Sequence, residues 1–275
     1  MFAVAKNASK PSLDDFTILK VVGRGLMGKV MLVKHKLTQK LFALKSIHKQ
    51  WILSHGQIRN TQSERAILAA FRDSFNAFQN SENSNIGKFL IRLHASFQTE
   101  TEIFYVLDYH AGGDLASILG QESRLGEVKA KFFAAEIAIG LGLLHAHGII
   151  YRDLKPENVL IDERGHIVLT DFGLSKILKP PGCDGNAKTS TFCGTAEYLA
   201  PELLKGEPYD QSVDWWSYGT MLYEMITGIT PYWCEIPEKM YRRILYDPII
   251  EFPTYVSPPA RDLIIKVKDS RRKNL

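Results

Sequence analysis

Cysteine is scarce in this chain: Cys183, Cys193 and Cys234 are the only three in 275 residues, and no two have CxxC spacing. That excludes a disulfide framework and a cysteine-based zinc site, and makes a reducing compartment the default. An excess of one charge is also lacking. Thirty-four Lys and Arg stand against thirty Asp and Glu, a net of +4, too small to argue for nucleic acid as a partner. The opening MFAVAKNASKPSLDD has no apolar core of signal-peptide length. The most apolar long stretch, Lys131 to Ile150, contains Glu136, His145 and His147 and repeats its apolar residues at helical spacing. It reads as a buried amphipathic helix, not a membrane span. Internal repeats and long low-complexity tracts are missing too. What remains is a composition ordinary for a soluble cytoplasmic enzyme, 45% hydrophobic and 23% charged, in a chain long enough for one large domain or two smaller lobes.

Residues 1–15 read as a linker. From Phe16 the pattern is strand-like: FTILKVVG, KVMLVKH and KLFALKSI carry β-branched or aromatic residues in partial alternation, with turn material at 24–28 and 36–39. A helix is predicted over about 57–71, then a polar surface loop or insertion over 72–88 (NAFQNSENSN), then two strands, FLIRLHASF and IFYVLDY. Beyond Ala111-Gly112-Gly113 the character is helical, with candidate helices near 114–120, 127–147, 213–228 and 237–245 and short strands VLI and IVL. The expected fold is α+β: a small antiparallel β-rich lobe with one main helix, residues 16–108, and a larger α-helical lobe, 109–275. Ligand sites tend to lie in clefts between such lobes.

Gly23-Arg24-Gly25-Leu26-Met27-Gly28-Lys29-Val30 is a GxGxxGxV loop. Glycine lets backbone approach a phosphate closely. A dinucleotide fold needs a helix after such a loop, but KVMLVKH reads as a strand, and Lys29-Val30 lacks the Ser or Thr of a Walker loop. On this segment alone a phosphate lid and a plain glycine-rich hairpin stay equally open.

Further motifs follow in order: Phe42-Ala43-Leu44-Lys45, Tyr151-Arg152-Asp153-Leu154-Lys155-Pro156-Glu157-Asn158, Asp171-Phe172-Gly173, Ala200-Pro201-Glu202, and Asp214-Trp215-Trp216-Ser217-Tyr218-Gly219. Together they resemble the protein-kinase signature set over residues 16–275. The resemblance implies a bilobal kinase-like fold, ATP and Mg²⁺ as cofactors, and transfer of the γ-phosphoryl group to Ser or Thr; Lys155 is the mark of Ser/Thr enzymes. Lys45 is expected to hold the α- and β-phosphates, with Glu64 in SERAIL holding Lys45. Asn158 and Asp171 are expected to ligate Mg²⁺ through hard oxygens. Asp153 would accept or orient the substrate hydroxyl proton, and Lys155 would neutralise the moving phosphate. Gly23, Arg24, Gly25 and Gly28 would cover the nucleotide. Val30, Ala43, Leu107 and Leu160 would line the adenine pocket, with backbone groups of Asp108 and His110 meeting the base. A pseudokinase is the alternative; retention of Lys45, Asp153, Asn158 and Asp171 argues against it.

Thr191-Phe192-Cys193-Gly194-Thr195-Ala196-Glu197-Tyr198-Leu199-Ala200-Pro201-Glu202 is similar to the TFCGTPEYLAPE segment of AGC kinases. That resemblance implies a role in intracellular signalling and an activating phosphosite at Thr191, whose phosphate would meet Arg152 and Lys176 after an upstream kinase acts. It also implies protein substrates with Arg near the acceptor, met by Asp114, Glu157 and Glu224 (Asp114 also bordering the ATP site). Thr195 is expected to contact Asp153 and Lys155. The chain departs from the group at Leu26 and Met27 on the loop tip, at Ala196 where Pro is usual, and at Asn60 where His is common, with Arg59 beside it. The C-terminus reads as truncated, and Arg271, Arg272 or Lys273 is the expected partner of Glu202.

Overall fold

The computed structural model describes residues 11–78, 88–178, 188–247 and 249–269, and of 74–78 the backbone alone. The chain divides into two compact units, Met1–Ala111 and Gly112–Leu275.

The first unit is a five-stranded antiparallel sheet in the order β1-β2-β3-β5-β4. Its strands are β1 (Phe16–Gly25), β2 (Gly28–His35), β3 (Leu41–His48), β4 (Leu93–Gln98) and β5 (Glu102–Asp108), with helices α1 (Lys49–Ser54) and α2 (Ile58–Phe78) after β3. Period-two alternation decides the faces. Phe42 and Leu44 of β3 pack with Phe16, Met31, Val33, Ala95, Phe104 and Val106 in one core. The ladder pairs Val30 with Lys45 and Lys45 with Tyr105, and likewise Leu32 with Ala43 and Ala43 with Leu107. Directly paired residues share a face, so Val30, Ala43, Lys45 and Leu107 lie on the sheet face opposite to that of Phe42 and Leu44.

Gly28 has a steric reason of its own. A Cβ there would sit 1.9 Å from the Ser46 carbonyl oxygen, so β2 can meet β3 only with a glycine.

Two readings need correction. α2 continues to Phe78, seven residues past the expected end, although Arg72, Asp73, Ser74 and Asn76 there are polar. No Gly or Pro interrupts 58–78, and helix propensity among the remaining residue types is a weak discriminator; residues 79–87 of the expected loop lie outside the described residues. β4 begins only at Leu93, although Leu90 and Ile91 before it are buried too.

The second unit is built on α4 (Glu127–Ala146), α6 (Ser212–Thr227) and α8 (Pro258–Asp269), joined by α3 (Leu115–Glu122), α5 (Pro201–Leu204) and α7 (Pro237–Tyr246). Two short hairpins complete it: β7 (Val159–Ile161) with β8 (Ile167–Leu169), and β6 (Ile149–Ile150) with β9 (Lys176–Ile177). α4 is apolar on most of its faces: Ile137, Leu141 and Leu144 are buried, while Val128, Phe132 and Ile139 are exposed. Among the described residues no helix is long and apolar enough to cross a membrane. α6 stops at Gly228, whose φ of 84° suits glycine and where a Cβ would meet the Ser123 carbonyl at 2.3 Å.

Lys268 of α8 is buried. Its Nζ donates to Thr220 Oγ1 at 2.7 Å and stands 3.8 Å from the centroid of Trp216 and 5.1 Å from that of Tyr232. Desolvation drives its pKa well below the ordinary lysine value.

Candidate active site

In the first unit, Lys45 Nζ donates to Glu64 Oε1 at 2.6 Å, joining β3 to α2. Both side chains are largely buried, so the pair is poorly screened and holds the ammonium in one place. Tyr105, beside them, donates its hydroxyl to the Thr61 carbonyl at 3.2 Å, and burial together with the Glu64 charge raises its pKa. Gly25 pairs with Gly28 across a two-residue turn, leaving Leu26 at the tip 89% exposed. Arg24 pairs with Lys29 in the same hairpin. Asp108 ends β5, its carboxylate 2.5 Å from His94 Nε2, and His110 follows it. Asn60 donates to Gln57 Oε1 at 2.6 Å.

In the second unit, four polar residues converge. Thr195 Oγ1 donates to Asp153 Oδ1 at 2.9 Å and accepts from Lys155 Nζ at 3.0 Å. Lys155 Nζ also lies 3.1 Å from Asp153 Oδ2. Asn158 Nδ2 donates to the Asp153 carbonyl at 2.8 Å and to Asp153 Oδ2 at 3.0 Å. The β7–β8 hairpin brings Asp171 to the same end: Val159 faces Leu169, and Thr170 donates to the Asn158 carbonyl, one residue before Asp171. Leu160 lies in this hairpin, bridged to Asp114. Two non-glycine residues here adopt left-handed backbone, Arg152 at φ 69° and Asp171 at φ 58°. Such conformations are sparsely populated and persist only where the surroundings enforce them.

At Arg152 the enforcement comes from Asp214, to which the sequence reading assigned no role beyond its place in DWWSYG. Its side chain is fully buried at the start of α6. Oδ2 accepts from the Tyr151 amide at 2.9 Å and from His145 Nε2 at 2.7 Å; Oδ1 accepts from the Arg152 amide at 2.8 Å. Tyr151 adds a hydroxyl bond to the Thr170 carbonyl, and Ser175 Oγ donates to the Tyr151 carbonyl at 3.1 Å. A histidine on the buried side of the long helix and an aspartate opening the next buried helix were the available signals.

Thr191 is exposed. Lys176 Nζ donates to Thr189 Oγ1 at 2.6 Å, which lies 3.4 Å from Thr191 Oγ1. Arg152 donates to the Tyr209 hydroxyl at 3.1 Å, and that hydroxyl donates to the Thr191 carbonyl at 2.6 Å. Thr189 therefore stands between Lys176 and Thr191, a neighbour the sequence did not single out. Arg271, Arg272 and Lys273 lie outside the described residues.

Of the expected substrate-binding acids, Glu157 and Glu224 line one cavity of about 360 Å³ with Glu197, Thr195 and Trp233; Asp114 is absent from its lining. Asp114 instead caps α3, accepting from the Ser117 amide at 2.7 Å. Tyr198 donates its hydroxyl to Glu224. Burial, with the Glu157 and Glu197 charges, raises the Glu224 pKa against that bond.

Comparison with known proteins agrees with this geometry. The protein kinase domain family matches residues 16–274. "Protein kinase 2" of Dictyostelium discoideum is 44% identical over 260 residues, 94% of this chain and 50% of its own length. Serine/threonine-protein kinase YPK1 of Saccharomyces cerevisiae is 44% identical over 258 residues, 94% of this chain and 35% of its own. Serine/threonine-protein kinase Sgk1 of Danio rerio is 45% identical over 256 residues, 93% of this chain and 54% of its own. The chain belongs to the protein kinase domain family. It spans about half the length, or less, of these curated relatives.

Proposed function

We propose that this chain is a catalytically active serine/threonine kinase domain that transfers the γ-phosphoryl group of ATP to hydroxyls of cytoplasmic signalling substrates. The observation that carries the reading is the convergence of Asp153, Lys155, Asn158 and Thr195 within hydrogen-bond distance. Phosphoryl transfer asks the protein mainly for positioning and neutralisation of charge. Asp153 takes the proton of the acceptor hydroxyl as its oxygen bonds to phosphorus and ADP leaves. Lys155 balances charge on the moving group, and Thr195 seats the acceptor while fixing both side chains. Lys45, held by Glu64, suits the α- and β-phosphates as a compact charge.

The donor chemistry of Asn158 and Asp171 fits Mg²⁺. Both of the amide's bonds use Nδ2, leaving its oxygen. Among the described residues no group of three or more His, Cys, Asp or Glu is placed to cage a metal. An ion that keeps several waters and substrate oxygens suits such a sparse set. When bound, the ion would supply neutralising charge for the phosphates.

Two finer readings accompany this one. Substrates carry Arg near the acceptor: Glu157, Glu197 and Glu224 line the cavity with no Lys or Arg among them, and a guanidinium there relieves their mutual repulsion. Thr191 is the activating phosphosite for an upstream kinase, supported by Lys176 and Arg152 around the Thr189–Thr191 segment.

The test is incubation with ATP and Mg²⁺ and a panel of serine peptides with and without Arg, read by mass. Phosphate gain on the Arg peptides is expected. No gain on any peptide, before or after treatment with an upstream kinase, would contradict the reading. Equal activation of wild type and Thr191→Ala by that kinase would remove the phosphosite alone.

A further inference from the structure

The half of α2 that carries Glu64 has little apolar surface to hold it. Over 58–66 Glu64 is the one buried side chain. Ile58 is 45% exposed, and the buried apolar residues of the helix, Ile67, Leu68 and Phe71, come only afterwards. Apolar packing is also non-directional. It presses a helix onto a sheet without fixing which residue faces which strand.

Polar contacts supply that register. Ser96 of β4 pairs with Tyr105 of β5, and Tyr105 with Lys45 of β3. Directly paired residues share a face, so the three side chains form one row across the sheet. Each meets α2. Lys45 Nζ donates to Glu64 Oε1 at 2.6 Å, the Tyr105 hydroxyl donates to the Thr61 carbonyl at 3.2 Å, and Arg65 Nε donates to Ser96 Oγ at 3.3 Å. Thr61, Glu64 and Arg65 lie within about one helical turn.

The three rungs are not equivalent. Arg65 is exposed, so water competes for its bond. Lys45 and Glu64 meet through flexible side chains, which follow a helix more than they fix it. Tyr105 is fully buried, and a ring packed on all sides aims its hydroxyl at one point. Burial and the Glu64 charge raise its pKa, so the hydroxyl keeps its proton and donates at every working pH.

We propose that Tyr105 is a positioning residue: its hydroxyl on the Thr61 carbonyl fixes the rotation of α2, and thereby the point at which Glu64 holds Lys45. The benefit to nucleotide phosphates rests on the kinase reading; the alignment of the pair does not, and the experiment separates the two.

Tyr105→Phe keeps the ring and removes one oxygen. A helix bond uses one of a carbonyl's two lone pairs, so Thr61 stays bonded and the variant should fold, which thermal unfolding checks. Wild type, Tyr105→Phe, Glu64→Gln and the double variant are compared in two readouts. The first is the rate at which an amine-reactive ester acylates Lys45, located by peptide mass. The second is affinity for ATP with Mg²⁺, by calorimetry. Loss of the hydroxyl is expected to speed acylation and to weaken ATP binding, each about three- to fivefold. Once Glu64 is glutamine, the same loss should change either by less than about 1.5-fold. Arg65→Ala, a surface change, should move either by less than about twofold.

The inference fails if Tyr105→Phe leaves acylation within about 1.5-fold of the wild type. It fails if the effect is as large in the Glu64→Gln background, which would make the hydroxyl a general support of the sheet. It fails too if Arg65→Ala frees Lys45 more than Tyr105→Phe does. Acylation that responds as expected, with no ATP bound by the wild type, spares the alignment and sinks the kinase reading. ATP binding and transfer with no response to Tyr105→Phe does the reverse.

Discussion

The two units hold their functional residues by different means. In the first, Val30, Ala43, Lys45 and Leu107 share a sheet face because a regular ladder puts them there, and Glu64 adds one ion pair. In the second, Asp153, Lys155, Asn158, Asp171 and Thr195 sit on irregular backbone that no ladder could order. Buried polar groups tie it down instead, with Asp214 at their centre. A ladder spreads its support over many equivalent bonds, so single losses are moderate. A buried carboxylate that accepts from two amides and a histidine concentrates support in one side chain.

That difference can be broken deliberately. Asp214→Ala leaves two buried amides and His145 without their acceptor. It is expected to destabilise the fold by about 3–5 kcal/mol in urea titration and to remove transfer activity with it. A loss under about 1 kcal/mol would mean the clamp is not where the second unit's order resides.

Gly28→Ala tests the ladder side. The added Cβ lands on the Ser46 carbonyl, so a loss of about 1–3 kcal/mol is expected from overpacking. Gly25→Ala, in the same hairpin with nothing within 4 Å of its Cβ, should change stability by less than about 0.5 kcal/mol. Equal effects would show that the hairpin turn, not its approach to β3, demands glycine.

Lys268 sharpens the comparison in the opposite direction, since its buried amine pairs with no carboxylate among the described residues. Its folded pKa lies below the unfolded one, so the unfolded chain binds the extra proton and stability falls as pH drops from near 10.5 toward the depressed value. Lys268→Met should therefore be more stable than the wild type at pH 7, by about 1–2 kcal/mol, with the gap narrowing near pH 10. A destabilised variant at pH 7 would assign the lysine a net favourable role through Thr220 and Trp216.

The smallest effect belongs to Glu224. Its raised pKa means that acidification neutralises it earlier than an ordinary glutamate. The preference for substrate Arg should weaken about two- to fivefold as pH falls through that range, and Glu224→Gln should show the weak preference at every pH. A selectivity independent of pH in the wild type would place Arg recognition elsewhere.

The candidate site residues Lys45, Asp153, Lys155, Asn158 and Asp171 were legible as ordered motifs because the phosphoryl transfer proposed for them admits few residue types. The strands were legible from alternation, and α4 and α6 from apolar spacing. Illegible were the parts where support is tertiary. Asp214 and His145 are 69 residues apart; their places on buried helices were visible, but nothing local pairs one with the other. The tail of α2 carries loop-like composition but no residue that stops a helix. Thr189, interposed between Lys176 and Thr191, depends on chain segments meeting in space.

Asp153→Asn gives the most direct test of the central claim, with the wild type assayed beside it for ATP binding and for phosphate transfer to an Arg-containing serine peptide. The variant should keep its affinity for ATP, because Lys45, Asn158 and Asp171 remain, and lose transfer by about 10²–10⁴-fold. Turnover by the variant within about threefold of the wild type would contradict the account.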